Sequence, residues 1–250
     1  MELAAVRQWI PSPAAWLARL PGSCACCHTW TAARVCADCV GRFAAPRVRC
    51  QRCAAALPTG ATLCGACLRD PPPFEAAWAA VDYAYPWSVL VPRFKFRQGL
   101  DLGGALAELM LSAAGPTCLA QAGARVVVPA PLSRARLRQR GYNQAQELAR
   151  RLARRRGWTL APEVVHKVRD TAEQMTLLLS ARAGNVRGAY AVKPAQRQVL
   201  AGRHVVLVDD VMTSGATLRE IAHVLQTQAG AASVEAWVFA RTPSPHSLGT

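Results

Sequence analysis

The sequence predicts an α/β fold, a mainly parallel sheet flanked by helices, joined to an N-terminal cysteine-rich metal module. Three observations lead there. Strand-like and helix-like stretches alternate from residue 77 to residue 239, with connections long enough to cross over a sheet. Val205, Val206, Leu207 and Val208 form an unbroken branched apolar run, the pattern of a strand buried on both faces. Eight of the nine cysteines before residue 68 fall into four Cys-x-x-Cys pairs. A chain of 250 residues with 52% apolar content can bury a full core beside a small module, which excludes wholesale disorder.

Residues 1–20 read as an N-terminal extension, residues 21–72 as the cysteine module and residues 73–250 as the main domain. Pro11 and Pro13 interrupt the apolar start, and no later apolar run approaches a membrane span, so a cytoplasmic chain without a span is expected. Trp9, Trp16 and Leu17 are expected to pack on the neighbouring module. The pairs are Cys24/Cys27, Cys36/Cys39, Cys50/Cys53 and Cys64/Cys67. A two-residue gap lets both thiolates of a pair converge on one tetrahedral ion, so four pairs supply two complete zinc sites. Disulfides and redox dithiols are the alternatives, but a cytosolic chain keeps structural thiols reduced, and no thioredoxin-like pattern surrounds these. Spacing leaves consecutive and interleaved pairing open. Cys26, beside Cys27, is a substitute ligand, and His28 a weaker one. The zinc is expected to be structural, because so short a segment buries too little apolar surface to fold alone. Cys118 reads as a buried thiol.

Asp70-Pro71-Pro72-Pro73 is a stiff break expected to divide two separate cores. Beyond it, strands are predicted over residues 77–85, 125–128, 164–168, 189–192, 204–208 and 234–239, and helices over 102–114 and 142–156. The 125–128 strand ends in Pro129-Ala130-Pro131-Leu132. Residues 134–156 carry nine arginines against the single acid Glu147. Arg150, Arg151, Arg154, Arg155 and Arg156 read as a solvated helix face. Arg136, Arg138 and Arg140 read as a loop just after a strand end, suited to clamping pyrophosphate. Arg93-Phe94-Lys95-Phe96-Arg97 alternates cations with aromatics, as a base-stacking surface does; a short amphipathic element with both Phe residues in the core fits equally.

The chemistry concentrates after the 204–208 strand, where Asp209 and Asp210 are followed by Val211, Met212, Thr213, Ser214, Gly215, Ala216 and Thr217. Leu218, Ile221, Ala222 and Leu225 recur at helical spacing up to Gly230, so residues 213–217 are the turn that opens a helix. Free backbone N–H groups and the positive helix end favour a phosphate there, and Gly215 allows close approach. Paired carboxylates would repel that phosphate unless they bind hydroxyls or a cation, and a ribose 5-phosphate diol with Mg²⁺ meets both conditions. No Gly-Lys-Ser or Gly-Lys-Thr follows Gly215, which excludes a Walker loop. The stretch resembles the signature of the type I phosphoribosyltransferases. That resemblance implies that Asp209 and Asp210 hold the ribose hydroxyls of phosphoribosyl pyrophosphate, and that Thr213, Ser214, Gly215, Ala216 and Thr217 hold its 5-phosphate.

Further segments narrow the resemblance. Val127-Val128-Pro129-Ala130-Pro131-Leu132, Arg138-Gln139-Arg140-Gly141-Tyr142-Asn143-Gln144, Arg169-Asp170-Thr171 with Gln174, and Arg182, Asn185 and Gly188-Ala189-Tyr190 are similar, in that order, to the ComF family. Its members carry an N-terminal zinc module, so the resemblance spans nearly the whole chain. Met175-Thr176-Leu177-Leu178-Leu179 is more apolar than the family's Gly-Leu-Ser segment. The resemblance implies phosphoribosyl pyrophosphate with Mg²⁺ as ligand, Pro129, Ala130, Arg138 and Arg140 as pyrophosphate-loop candidates, and a role in DNA uptake during natural transformation. It also implies single-stranded DNA and the competence helicase machinery as partners. Two other functions remain in view: phosphoribosyl transfer to a small acceptor, and a ligand sensor that docks proteins through the zinc module. No nucleophile-binding hood or general base stands out. The formal charge of +15 falls to about +11 with two zinc ions on eight thiolates, still basic enough for phosphate-rich partners.

Overall fold

The computed structural model of the chain describes residues 22–114, 125–169 and 186–243. Trp9, Trp16, Leu17, Cys118, Asp170, Thr171, Gln174, Arg182 and Asn185 lie outside the described residues, as does the side chain of Arg97. The cysteine module contains an antiparallel pair, β1 (Gly22–Ser23) with β2 (Trp30–Thr31), then α1 (Ala37–Phe43) and α2 (Gly65–Arg69). After it come β3 (Ala76–Asp82), α3 (Trp87–Phe94), α4 (Gly103–Ala113), β4 (Val126–Pro129), α5 (Arg134–Arg140), α6 (Gln144–Arg156) and β5 (Thr159–Leu160). The remaining elements are β6 (Val165–Lys167), β7 (Tyr190–Val192), α7 (Arg197–Leu200), β8 (His204–Met212), α8 (Ala216–Ala229) and β9 (Ser233–Arg241).

Five strands form one parallel sheet in the order β3-β9-β8-β4-β5. Burial on both faces explains the apolar run in β8. Val205 and Leu207 pack into one cluster with Leu218, Ile221 and Leu225 of α8, while Val206 and Val208 face Trp87, Leu106, Leu148 and Trp237 on the other side. The chain leaves β8 through α8 toward β9 and leaves β4 through α6 toward β5, so the connections diverge between two neighbouring strands. A crevice at such a switch point, beyond the carboxyl ends of the strands, is where open parallel sheets hold ligands.

Four expectations change. The 204–208 strand continues through both acids to Met212, because β9 pairs with it as far as Arg241. Residues 165–167 and 190–192 leave the parallel sheet and form an antiparallel pair of their own. Residues 134–140 are a helix rather than a loop, capped by Ser133, whose Oγ accepts from the Arg136 N–H. The cores on either side of 71–73 are not separate. Cys24, Ala25, Val35 and Cys39 share a cluster with Trp87 and Trp237, and Ala54 packs with Phe74 and the α8 face. The Trp87 Nε1 donates to the Phe43 carbonyl at 2.7 Å, and the Ala77 N–H to the Gln51 carbonyl at 2.8 Å.

Candidate functional site

β8 carries Asp209 and Asp210 to the switch point, and the chain then turns through Thr213, Ser214 and Gly215 into α8. Gly215 has φ +80°, a left-handed conformation that other residues resist, and a Cβ there would meet Met212. Ser214 is exposed, its Oγ accepting from the Ala216 N–H at 3.4 Å. The first turn of the 14-residue α8 presents N–H groups that no helical carbonyl can reach. Behind the loop stands Arg241 at the end of β9. Its guanidinium donates to the carbonyls of Met212 (3.1 Å), Thr213, Thr242 (2.8 Å) and, through Nε, Cys53 (2.9 Å). One side chain therefore braces the loop and ties it to a cysteine knuckle.

These elements enclose a cavity of about 420 Å³. Asp209, Asp210, Thr213, Gly215, Ala216 and Thr217 line it, together with Ala130 and Arg140; Pro129, Ser214 and Arg138 are not in its wall. Arg138 faces a neighbouring cleft instead. Arg136, expected to clamp pyrophosphate, and Tyr190, quoted only for the family resemblance, also line it, as do Lys95 and Lys167, which the sequence did not assign to this pocket. Their sequence positions carry no shared spacing, since α3, α5, β6 and β7 deliver them from separate parts of the chain. The β6–β7 pair that brings Lys167 and Tyr190 supplies the cover that no sequence pattern revealed.

The two acids do not ionise alike. Burial, reinforced by the charge of Asp210, pushes the Asp209 carboxyl well above the usual carboxylate range. Burial also works against Asp210, but the Lys95 ammonium, a bond with Asp209 and the charge of Arg140 outweigh it and hold Asp210 below that range. Lys95 Nζ lies 3.1 Å from Asp210 Oδ2. The Asp210 N–H donates to Asp209 Oδ1 at 2.8 Å, which fixes the neighbouring carboxyl. Burial pushes Tyr190 up to about 12, so its hydroxyl stays a proton donor at neutral pH. Such a cavity can accept hydroxyl protons or a cation at its acidic end, and anionic oxygens at its helix N-terminus and cationic wall.

Asn143 organises the opposite rim. Its Oδ1 accepts from the N–H groups of Ala145 and Gln146, capping α6, while its Nδ2 donates to the Ala130 carbonyl at 2.9 Å. The arginines of α6 divide. Arg150 and Arg151 pair with Glu147 at 2.7 and 2.5 Å, Arg155 reaches Glu108 of α4 at 2.5 Å and Arg156 stacks over Trp158, whereas Arg154 is exposed as expected of a solvated face.

The cysteines assemble in consecutive pairs: Cys24, Cys27, Cys36 and Cys39 in one group, Cys50, Cys53, Cys64 and Cys67 in the other, each with its sulfurs within 4.8 Å of one another. Cys27 Sγ lies 3.7 Å from Cys36 Sγ, and Cys53 Sγ 3.6 Å from Cys64 Sγ. Zn–S bonds of about 2.3 Å in a tetrahedron put sulfurs about 3.8 Å apart, so both groups can hold zinc. The groups repeat one another. In each, the backbone N–H of the third cysteine donates to the first sulfur at 3.3 Å, and the residue after the second cysteine, His28 or Ala54, has positive φ. Cys26 is not among the four, and burial pushes its thiol up to about 11.

Residues 137–247 match the model of the phosphoribosyl transferase domain. DNA utilization protein YhgH of Salmonella typhi is 35% identical over 236 residues, covering 91% of this chain and 96% of its own. Its namesake in Escherichia coli strain K12 is 34% identical over 231 residues with the same coverage. Competence protein F of Haemophilus influenzae is 32% identical over 197 residues, 77% of this chain and 84% of that protein. The chain belongs to the ComF family. Its ComF-type architecture is a phosphoribosyltransferase fold with two N-terminal cysteine groups: Cys24 and Cys39 of the first pack into the core, while Cys50 and Cys67 of the second form a small cluster with Ala55, joined to the sheet side through Ala54. Among the described residues, no helix of this ComF-family chain is long and apolar enough to cross a membrane.

Proposed function

We propose that this chain binds phosphoribosyl pyrophosphate with Mg²⁺ and also binds single-stranded DNA, in a cytoplasmic role in DNA uptake or use like that for which its relatives are named. The observation that carries the ligand is the pair Asp209 and Asp210, unequally ionised, opposite the Gly215 turn in a cavity with a cationic wall. The acids would hold the ribose hydroxyls and the metal; Thr213 to Thr217 would receive the 5-phosphate; Arg136, Arg140 and Lys95 would face the pyrophosphate. Bound Mg²⁺ would neutralise charge on the pyrophosphate. Both cysteine groups would hold structural zinc within a 21–72 module, on a phosphoribosyltransferase-like domain of residues 73–250.

The strand would follow Arg93, Phe96, Arg138 and Arg140, which line one open cleft. Phe94 takes no part, because it is fully buried in the core, whereas Phe96 is 50% exposed and available for stacking. Calorimetric titration tests the first half: Mg²⁺-dependent binding of phosphoribosyl pyrophosphate, lost in Asp209→Ala/Asp210→Ala. Equal binding by that variant would mean that the acids are misassigned. A labelled oligonucleotide tests the second half, with affinity falling steeply as salt rises and a shallower slope in Arg136→Ala/Arg138→Ala/Arg140→Ala. Absence of strand binding at low salt would favour the second reading, transfer of the phosphoribosyl group to a small acceptor under the β6–β7 cover. Pyrophosphate release with a panel of acceptors would then identify it.

A further inference from the structure

The cleft of about 630 Å³ and the acidic pocket are neighbours that share the end of α3 and the helix α5 in their walls. Arg140, at the end of α5, lines both cavities. The end of α3 divides its side chains between them: Arg93 and Phe96 face the outer cleft, and Lys95 points inward to Asp210. Tyr142 holds this turn against the α5–α6 corner, its hydroxyl bonding the carbonyls of Phe94 and Phe96. Arg140 and the α3 turn are therefore common to both sites.

Resting on the two-ligand reading above, we propose that a single strand in the outer cleft and phosphoribosyl pyrophosphate in the pocket antagonise each other through Arg140 and the α3 turn that carries Lys95. Both ligands are polyanions, and a guanidinium that forks onto one set of phosphate oxygens is withdrawn from the other. The pyrophosphate also adds negative charge beside the path of the strand. Antagonism of this kind is reciprocal: each ligand must weaken the other by one common factor. The form loaded with phosphoribosyl pyrophosphate would then release DNA, and the strand-bound form would discharge the sugar phosphate.

The test uses the full chain, a fluorescein-labelled single-stranded oligonucleotide and phosphoribosyl pyrophosphate with Mg²⁺, at constant ionic strength adjusted with sodium chloride. Saturating phosphoribosyl pyrophosphate is expected to raise the strand Kd by about fivefold or more, and saturating strand to raise the other Kd by the same factor. Arg140→Ala is expected to bring that factor toward one. Arg93→Ala, whose side chain meets the outer cleft alone, is expected to weaken the strand and leave the thermal shift by phosphoribosyl pyrophosphate as in the parent. If both ligands bind the parent and neither changes the Kd of the other, the linkage is overturned while the two-ligand reading stands; mutual strengthening overturns it equally. Failure of either ligand to bind alone defeats the reading beneath it.

Discussion

Asp209 and Asp210 sit side by side at the end of a strand, and their burial lets one negative charge settle there more readily than two. The folded-state pKa of Asp209 is raised above its unfolded value, so its contribution to stability is present at low pH and is lost as pH rises through that raised value. Asp209→Asn should therefore flatten the fall in Tm of the ligand-free protein as pH rises above the ordinary carboxylate range. Profiles of equal slope for parent and variant would contradict the assignment. Gly215→Val should cost roughly 1–3 kcal/mol in denaturant unfolding, because φ +80° strains a branched residue, and should also obstruct the phosphate turn. The acids and the glycine were legible in the sequence because they are contiguous. Lys95 was legible only as part of a cation–aromatic alternation, and Arg241 not at all, because its importance lies in carbonyls from two distant segments.

At the scale of elements, the cysteine knuckles and the phosphate-type loop meet at Arg241. Arg241→Leu leaves carbonyls of Cys53, Met212 and Thr213 without this donor, and hydrogen bonds to charged groups are each worth about 1.5–3 kcal/mol. Lower stability together with weaker binding of phosphoribosyl pyrophosphate is expected; lower stability alone would make Arg241 merely structural. The same contact gives Cys64→Ser a consequence beyond its own ribbon. Cys64 packs in a small cluster of its own ribbon, but Ala54, the Cys53 carbonyl on Arg241 and the Gln51 carbonyl on Ala77 tie that ribbon to the sheet, so the variant should unfold in one transition at lower temperature rather than in two. Two resolved transitions in calorimetry would restore the picture of independent cores. The proline run misled here because chain stiffness at residues 71–73 says nothing about which surfaces pack afterward. The β6 and β7 patterns predict sheet strands for the same reason: a short apolar run does not reveal its pairing partner, and here the two pair with each other.

For the whole molecule, the order β3-β9-β8-β4-β5 puts the divergence of the chain beside both acids, so topology and chemistry select the same crevice. The parallel sheet was readable from the buried runs, and the thiolate groups from their spacing, whereas consecutive cysteine pairing and the cover required the folded chain. Whether this crevice receives phosphoribosyl pyrophosphate is decided by a crystal structure of the full chain with that ligand and Mg²⁺. Ribose hydroxyls are expected on Asp209 and Asp210, the 5-phosphate against the N–H groups opening α8, and the pyrophosphate toward Arg140. Ligand lying in the outer cleft of Arg93 and Arg138, with both acids untouched, would contradict that placement.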